Sequence, residues 1–204
     1  LPLHAFSLNR IAEVFVQPLA GLEHGRLDHV RSAARSPRLL VMSRRPNTRR
    51  LIGLAAWRPE IRVASERVRV PLSPARVRRI VSTVLRAEGR MAEPPSRRVD
   101  MTITFVGPSR MRQLNLEWKR RDAVTDVLSF ALRLPGGGVT GDVYICAAAA
   151  RVHAREHRVS LSEELARLVV HGTLHALGYD HPEGFGRTRS AMWRRQEGYV
   201  KALT

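Results

Sequence analysis

Residues 160–181, SLSEELARLVVHGTLHALGYDH, carry the most regular pattern in the chain. Ser160 and Glu163 have the spacing of a capping box, in which the two side chains satisfy the first free N–H groups of a helix. Small and apolar residues then recur three and four positions apart, which predicts a helix with one buried face. Gly178 can adopt a positive φ angle and is expected to end this helix. The residues of the buried face are Leu165, Leu168, Val169, Gly172 and Ala176.

Three histidines lie in the second half of this stretch. His171 and His175 are four residues apart, so both imidazoles project from one face of the predicted helix. The turn at Gly178 brings His181 back towards them. Three imidazoles with a fourth position left open are typical of catalytic zinc sites, where a bound water becomes a nucleophile. The spacing therefore predicts a hydrolytic Zn²⁺ site at the end of this helix, with Asp180 in the turn rather than as a fourth ligand.

The pattern HxxxHxxGxxH also occurs in metzincin peptidases, which place a glutamate directly after the first histidine as general base. In this chain that position is Gly172, which has no side chain, so peptidase activity is disfavoured. A glycine inside a helix costs about 1 kcal/mol relative to alanine. Gly172 therefore indicates close packing against another backbone or space needed for a substrate.

A second histidine pair, His153 and His157, has the same four-residue spacing. Arg151, Arg155 and Arg158 surround this pair, and their charges would repel a divalent cation. We expect this segment to be the solvated basic face of a helix rather than a second metal site.

The composition points to a polyanionic partner. The chain has 204 residues, with 35 Lys and Arg against 18 Asp and Glu, which gives a formal net charge of +17. Such an excess favours RNA, DNA or an anionic lipid surface, although a general bias towards arginine is the alternative. Neither a membrane span nor a secretory signal is predicted. Because Cys146 is the single cysteine, an internal disulfide is excluded, and a soluble intracellular protein is the expectation.

Two regions differ in their patterning. Residues 1–60 are rich in arginine and proline and lack a sustained period, so they are predicted to be a poorly ordered extension. Residues 61–204 mix strand and helix patterns, which predicts one α+β domain with a small mixed sheet packed with helices. Strands are expected at 61–63, 68–70, 99–106, 124–132 and 142–146, and helices at about 74–88, 108–118, 147–157, 162–177 and 186–203.

Three adjacent cations, Lys119, Arg120 and Arg121, follow Trp118. In single-stranded nucleic-acid sites, cations bind phosphates while an aromatic ring stacks on a base. The alternative is a helix end whose basic last turn is favoured by the helix dipole, beside an aromatic residue of the core. With a metal site in the same domain, the phosphate-binding interpretation is favoured.

Taken together, these motifs resemble the YbeY-type rRNA maturation factors, a family of bacterial metal-dependent endoribonucleases. The resemblance rests on three stretches that follow one another in the order typical of that family: residues 114–130, residues 141–146 and residues 171–181. It extends over about residues 61–204 and implies a zincin-like α+β fold. It further implies cleavage of single-stranded RNA during small-subunit rRNA maturation and ribosome quality control in the cytoplasm.

The resemblance also implies roles for individual residues. His171, His175 and His181 would hold one zinc ion per chain. The family usually has Tyr-Arg where this chain has Trp118-Lys119, so lysine keeps the charge but loses the two-pronged geometry of arginine. The hypothesis therefore makes Lys119 and His171 catalytic, and Lys119, Arg120 and Arg121 RNA-binding. Two alternatives stay open: a zinc-stabilised ribosome-assembly factor that binds RNA without cleaving it, and a metzincin-like peptidase.

Overall fold

The computed structural model describes residues 14–16, 59–89, 98–134, 138–182, 184 and 186–204. The strands are β1 (Val14–Val16), β2 (Glu60–Ser65), β3 (Val99–Val106), β4 (Val127–Arg133) and β5 (Val139–Cys146). The helices are α1 (Pro74–Gly89), α2 (Pro108–Lys119), α3 (Ala147–Glu156), α4 (Leu161–Ala176) and α5 (Ala191–Leu203), and a 3₁₀ turn spans Arg187–Arg189. None of the described helices is long and apolar enough to cross a membrane.

The strands form one mixed sheet in the order β1-β4-β5-β3-β2. The pairs β2–β3, β3–β5 and β1–β4 are parallel, and only β4 and β5 pair in an antiparallel manner. The prediction of an α+β fold with a small mixed sheet is therefore confirmed. β5 lies at the centre, with β3 on one side and β4 on the other, so the stretch that contains Gly141 is a central strand.

Alternation along the strands divides the core between the two faces of the sheet. Residues such as Ile103, Val127 and Val143 belong to the larger cluster, which also contains the apolar faces of α1, α4 and α5. Leu128 and Cys146 belong to a smaller cluster with Met111 and Leu114 of α2. The prediction that Cys146 is a small core residue is confirmed by its complete burial.

α4 is the helix that positions the histidines, and its ends are formed as the sequence predicts. The Ser160 side chain accepts a hydrogen bond from the Glu163 backbone N–H at 3.1 Å, which is the capping interaction expected there. Gly178 has φ +91°, so the chain reverses direction directly after the helix. Arg133 at the end of β4 donates from Nη2 to the Leu177 carbonyl at 3.1 Å and so satisfies a free carbonyl at this helix end.

Several boundaries differ from the predictions, and one of them is the start of β5, which lies at Val139 rather than at residue 142. Val68 and Val70 pack against the core without forming a strand, because Arg67 has φ +54° and turns the chain away from β2. β4 begins at Val127 rather than at residue 124. The last helix begins at Ala191 rather than near residue 186, since Ser190 is an extended N-cap residue whose side chain accepts from Trp193 N at 3.1 Å.

The predicted extension over residues 1–60 lies almost entirely outside the described residues. Val14–Val16 is described as strand β1, paired in parallel with β4, an element that the sequence analysis did not assign. β2 begins at Glu60, one residue before the predicted domain start. The division into an extension and a domain therefore stays a prediction.

Candidate metal centre

The structure brings His171, His175 and His181 together at the C-terminal end of α4. One possible ligand atom from each histidine lies within 4.8 Å of the other two. The ring centroids are 4.4 Å apart for His171 and His175, and 5.2 Å and 5.0 Å from these two rings to His181. Within the described part of the chain, no other group of histidine, cysteine and carboxylate side chains meets this geometric requirement. We refer to these three residues as the histidine tripod.

Each tripod imidazole is held through its Nδ1 atom by an oxygen acceptor. The acceptors are Gln196 Oε1 at 2.7 Å for His171, the Tyr179 carbonyl at 3.0 Å for His175, and the Pro182 carbonyl at 3.1 Å for His181. A carbonyl oxygen can only accept, so these bonds favour the tautomer that carries its proton on Nδ1.

The three Nε2 atoms are buried and have no hydrogen-bond partner. With the proton on Nδ1, each Nε2 presents a lone pair, which is the donor atom that a metal ion requires. Three unpartnered buried lone pairs at one point would be costly without a ligand. The donor set therefore fits a divalent cation with an affinity for nitrogen.

Burial keeps two of the tripod imidazoles, those of His171 and His175, neutral. Burial lowers the pKa of His171 well below its usual value, and the neighbouring His175 adds to this effect. Burial, followed by the charge of His181, lowers the pKa of His175 to about 4. Since a histidine must be neutral to bind a metal, these shifts favour binding at and below neutral pH.

Gly172 allows α4 to lie directly on the sheet. A Cβ atom at this position would come within 2.3 Å of Val143 Cγ1 and 3.0 Å of Ser129 Oγ. Ser129 also donates from its hydroxyl to the Gly172 carbonyl at 3.3 Å. The close packing inferred from the sequence is thus against strand side chains rather than backbone. A glutamate here would run into β5, so this site cannot hold a general base in the metzincin manner.

Asp180 is exposed, and its Oδ1 accepts from the His181 backbone N–H at 2.8 Å. This bond stabilises the turn that returns His181 to the tripod. The structure therefore supports the predicted turn role for Asp180.

Comparison with known proteins identifies the family. A sequence profile described as Endoribonuclease YbeY matches residues 61–204. The chain belongs to the YbeY endoribonuclease family.

Several relatives named Endoribonuclease YbeY show the same similarity. The Anaeromyxobacter protein is 38% identical over 148 residues, which cover 70% of this chain and 74% of that protein. The Pelotomaculum thermopropionicum protein is 40% identical over 129 residues, with coverages of 60% and 80%. The Aquifex aeolicus protein is 39% identical over 104 residues, with coverages of 50% and 68%. A Thermotoga maritima solution structure covers 70% of this chain at 24% identity, with a TM-score of 0.45.

The region matched by the YbeY profile includes the basic residues at the end of α2. Lys119 is half-buried, whereas Arg120 and Arg121 are exposed, and Arg120 is the left-handed residue at the helix C-terminus with φ 56°. Trp118 is 48% exposed and its ring lies 5.5 Å from that of Phe130. Trp118 thus exposes part of its ring directly before the three cations, and the phosphate-binding role of these residues stays a prediction.

The loop after these cations is tied to α2. Arg112 donates from Nε and Nη2 to the two carboxylate oxygens of Asp122, at 2.5 Å and 2.6 Å. Buried Asn115 donates from Nδ2 to the Ala123 carbonyl at 2.8 Å. These contacts fix the chain between the cations and β4, and they give Asn115 and Asp122 of the YbeY-like motif a positioning role.

The prediction of a solvated basic face holds for the exposed residues Arg151, Arg155, His157 and Arg158, but not for half-buried His153. Its Nδ1 is 3.7 Å from Asp126 Oδ2 and 3.9 Å from Glu164 Oε1, and both carboxylates are buried. His157 is more exposed, with its Nδ1 4.0 Å from Glu164 Oε2. The acidic partners come from elsewhere in the sequence, Glu164 from α4 and Asp126 from the residue directly before β4.

The sequence analysis assigned no role to two charged residues of the family region, buried Asp126 and half-buried Arg187. Asp126 accepts through Oδ1 from the Val127 N–H at 2.9 Å, but its buried Oδ2 has no hydrogen-bond partner. Burial raises the pKa of Asp126 to about 6, and the charge of His153 opposes the shift. Arg187 has two buried guanidinium nitrogens, Nε and Nη2, that are also without a partner.

Proposed function

We propose that this chain is a zinc-dependent, single-strand-specific endoribonuclease that acts in small-subunit rRNA maturation and ribosome quality control in the bacterial cytoplasm. The observation that carries the proposal is the convergence of three buried, unpartnered Nε2 atoms in a chain of the YbeY endoribonuclease family. The known members of this family that it resembles are named for endoribonuclease activity.

Zinc is the metal that suits this donor set. Three imidazole nitrogens with an open fourth position are the usual protein ligands of catalytic zinc, whereas structural zinc sites are normally closed by a fourth protein ligand. We therefore assign one Zn²⁺ per chain to His171, His175 and His181. When bound, the metal supplies a Lewis acid and lowers the pKa of its water towards about 7. A zincin-like relationship of the fold is part of the same proposal.

Around the metal, the residues of this chain bind and orient the RNA. Lys119, which we propose as a catalytic residue together with His171, places a positive charge where the phosphodiester gains negative charge. Arg120 and Arg121 bind neighbouring phosphates, and Trp118 stacks on an unpaired base. The high net charge of +17 attracts the polyanion from a distance. The ribosomal small subunit is the partner that supplies the substrate.

The first experiment combines zinc content with cleavage of a single-stranded RNA. The purified wild-type protein is compared with His171→Ala, His175→Ala and the control His157→Ala, which removes a more exposed imidazole outside the tripod. We expect about one zinc per chain and RNA cleavage in the wild type and in the control, and neither in the two tripod variants.

Two results would change this assignment. Cleavage by a metal-free tripod variant would exclude the proposed chemistry. Zinc and RNA binding without any cleavage by the wild type would favour the non-catalytic assembly factor instead.

A further inference from the structure

Arg187 is half-buried, and two of its guanidinium nitrogens have no hydrogen-bond partner. Its Nε and Nη2 atoms are inaccessible to solvent and have no hydrogen bond to any residue that the structure describes. The charges of Asp126 and Glu164 act on this cation, but neither carboxylate accepts a hydrogen bond from these two nitrogens. Buried polar groups in native proteins almost always have hydrogen-bond partners. An exception of this kind calls for a ligand that is absent from the polypeptide itself.

The position of the guanidinium group is fixed. It lies over the Trp193 ring, 5.3 Å from the ring centroid. The 3₁₀ turn that carries Arg187 begins after Gly186, which has φ +105°, and ends at Ser190, the N-cap of α5. Stacking on an indole and short, well-defined connections hold the group in one orientation. It is therefore preorganised rather than free to search for a partner in solvent.

The two unpartnered nitrogens, Nε and Nη2, are one of the pairs through which a guanidinium group binds two oxygens of an oxyanion. Nε and Nη2 present parallel N–H bonds, and this fork matches two oxygens of a carboxylate or a phosphate. The carboxylates whose charges act on Arg187 are those of Asp126 and Glu164, but neither forms this pair, and the buried Oδ2 of Asp126 is likewise unpartnered. The two nitrogens of the fork are therefore not used by any hydrogen bond within the described part of the chain.

The fork lies close to the histidine tripod. The positive charge of Arg187 lowers the pKa of both His171 and His175, which places the guanidinium group within electrostatic range of the metal centre. Along the chain, Arg187 follows the last tripod histidine by six residues, and α5 supplies both its stacking partner Trp193 and Gln196, the acceptor for His171. An anion bound by Arg187 would therefore lie beside the metal position.

We propose that Arg187 binds a non-bridging oxygen pair of the RNA phosphate at the tripod through Nε and Nη2. This inference rests on the proposed function for the identity of the anion. The proposal adds one cation to those at the end of α2. Arg187 would bind the scissile phosphate with the two-pronged guanidinium geometry that Lys119 lacks. Arg187 takes part by electrostatic binding and transfers no proton.

The test compares Arg187→Gln and Arg187→Lys with Arg189→Gln, which removes an exposed arginine from the same 3₁₀ turn. Three quantities are measured on the zinc-loaded full chain: cleavage of single-stranded RNA, the melting temperature, and the response of the arginine Nε–H NMR signals to inorganic phosphate. The Arg187 signal is assigned by its loss in Arg187→Lys. The phosphate titration is then repeated on the metal-free protein, so that one readout depends neither on zinc nor on activity.

We expect Arg187→Gln to reduce kcat/KM about 10²-fold or more, as removal of a preorganised donor to a transition state does. Arg187→Lys keeps the charge without the fork and should fall between this variant and the wild type. Arg189→Gln should change kcat/KM less than about threefold, because exposed charges contribute little individually. The melting temperature of Arg187→Gln should be unchanged or higher, since two buried nitrogens without a hydrogen-bond partner are replaced. Phosphate should shift the Arg187 Nε–H signal.

Other outcomes separate this inference from the proposed function. If the wild type cleaves RNA and Arg187→Gln equals Arg189→Gln, the inference is wrong while the endoribonuclease proposal stands. A lower melting temperature of Arg187→Gln together with an Nε–H signal insensitive to phosphate would make Arg187 structural and also overturn the inference. If the wild type does not cleave but phosphate still moves the Arg187 signal, the anion site stands and the proposed activity does not.

Discussion

Gln196 Oε1 accepts the Nδ1 proton of His171 at 2.7 Å, so a residue of α5 fixes the tautomer of a histidine on α4. Gln196 is itself oriented, because its Nε2 donates to Glu197 Oε1 at 2.9 Å. Only the side-chain oxygen of Gln196 then remains to face the imidazole. This chain of hydrogen bonds couples the metal position to the packing of the C-terminal helix.

The first prediction concerns this contact. Gln196→Leu introduces an apolar side chain of similar size and removes the hydrogen-bond acceptor. His171 then loses the bond that holds its Nε2 lone pair towards the metal. Loss of such an outer hydrogen bond typically lowers metal affinity 10–100-fold. The affinity is measured by competition with a chromophoric zinc chelator. Gln113→Leu, an exposed position bonded to Arg110, is the control, and equal affinities in the two variants would contradict the role of Gln196.

The second prediction uses two glycines in helices. Gly172→Ala places a Cβ 2.3 Å from Val143 Cγ1, so α4 must move away from β5. Overpacking of this kind costs about 1–3 kcal/mol of unfolding free energy. Gly198→Ala in α5 meets nothing within 4 Å and should instead stabilise the protein by roughly 0.5–1 kcal/mol, the usual gain of alanine over glycine in a helix.

Urea unfolding of both glycine variants measures the two free energies. Val143→Ala in the Gly172→Ala background provides the control, because it removes the methyl group that the new Cβ meets. The double variant should then lose less stability than the sum of the two single changes. If the two changes in unfolding free energy were strictly additive, the contact with Val143 would not be the cause of the stability loss in Gly172→Ala.

The tripod could be predicted from the sequence because its geometry is local. A helical period places His171 beside His175, and a single glycine with positive φ returns His181 after three residues. These relations depend on backbone geometry alone and need no knowledge of the rest of the fold. The capping residue Ser160 was predictable for the same reason.

The hydrogen bond that orients His171 is not local, and the sequence analysis did not predict it. The acceptor for His171 comes from a helix that begins 20 residues later, and only packing of α5 on α4 brings it there. One signal was present, since Gln196 stands between Met192 and Val200 at four-residue intervals in the buried stripe of α5. His153 was misassigned because its sequence neighbours are arginines, whereas its partners in space are the carboxylates of Asp126 and Glu164.

The third prediction concerns Glu88, the buried carboxylate at the end of α1. It accepts hydrogen bonds from the hydroxyl groups of Tyr179 and Tyr199, the latter at 2.6 Å, and from Arg195 Nη1 at 3.2 Å. These bonds attach the turn before His181 and the helix α5 to α1. Glu88→Ala leaves three donors without their acceptor and should destabilise the protein by about 3–5 kcal/mol, as loss of one partner of a buried pair does.

The unfolding free energy of Glu88→Ala is measured beside that of Glu60→Ala, which removes an exposed carboxylate paired with Arg62. An exposed ion pair contributes at most about 1 kcal/mol, so the control should stay close to the wild type. Glu88→Gln retains one acceptor oxygen and should lie between the two. Similar losses for Glu88→Ala and Glu60→Ala would contradict the role of Glu88 as a tie between α1, the turn and α5.

The fourth prediction is a change in the pH dependence of stability in the metal-free protein. Burial raises the pKa of Asp126 from 3.8 to about 6, so the folded state binds more protons than the unfolded state between these pH values. Asp126 therefore makes the unfolding free energy fall as pH rises through this window. The pKa of His175 is lowered from 6.5 to about 4, so the unfolded state binds more protons there, and this histidine makes stability rise over nearly the same window.

His171, whose pKa is also lowered by burial, adds to the rising slope. The falling slope from Asp126 opposes these histidine slopes in the wild type, each with a limit of about 1.4 kcal/mol per pH unit for one proton. Asp126→Asn removes the falling slope and keeps an acceptor for the Val127 N–H, while His153 and Arg187 still face the site. The unfolding free energy of this variant should therefore rise more steeply than that of the wild type between about pH 4.5 and 6. Urea unfolding in a chelator-containing buffer series measures both slopes. Equal slopes would mean that Asp126 is already ionised throughout this range, and that its unpartnered Oδ2 is compensated by His153 or Arg187.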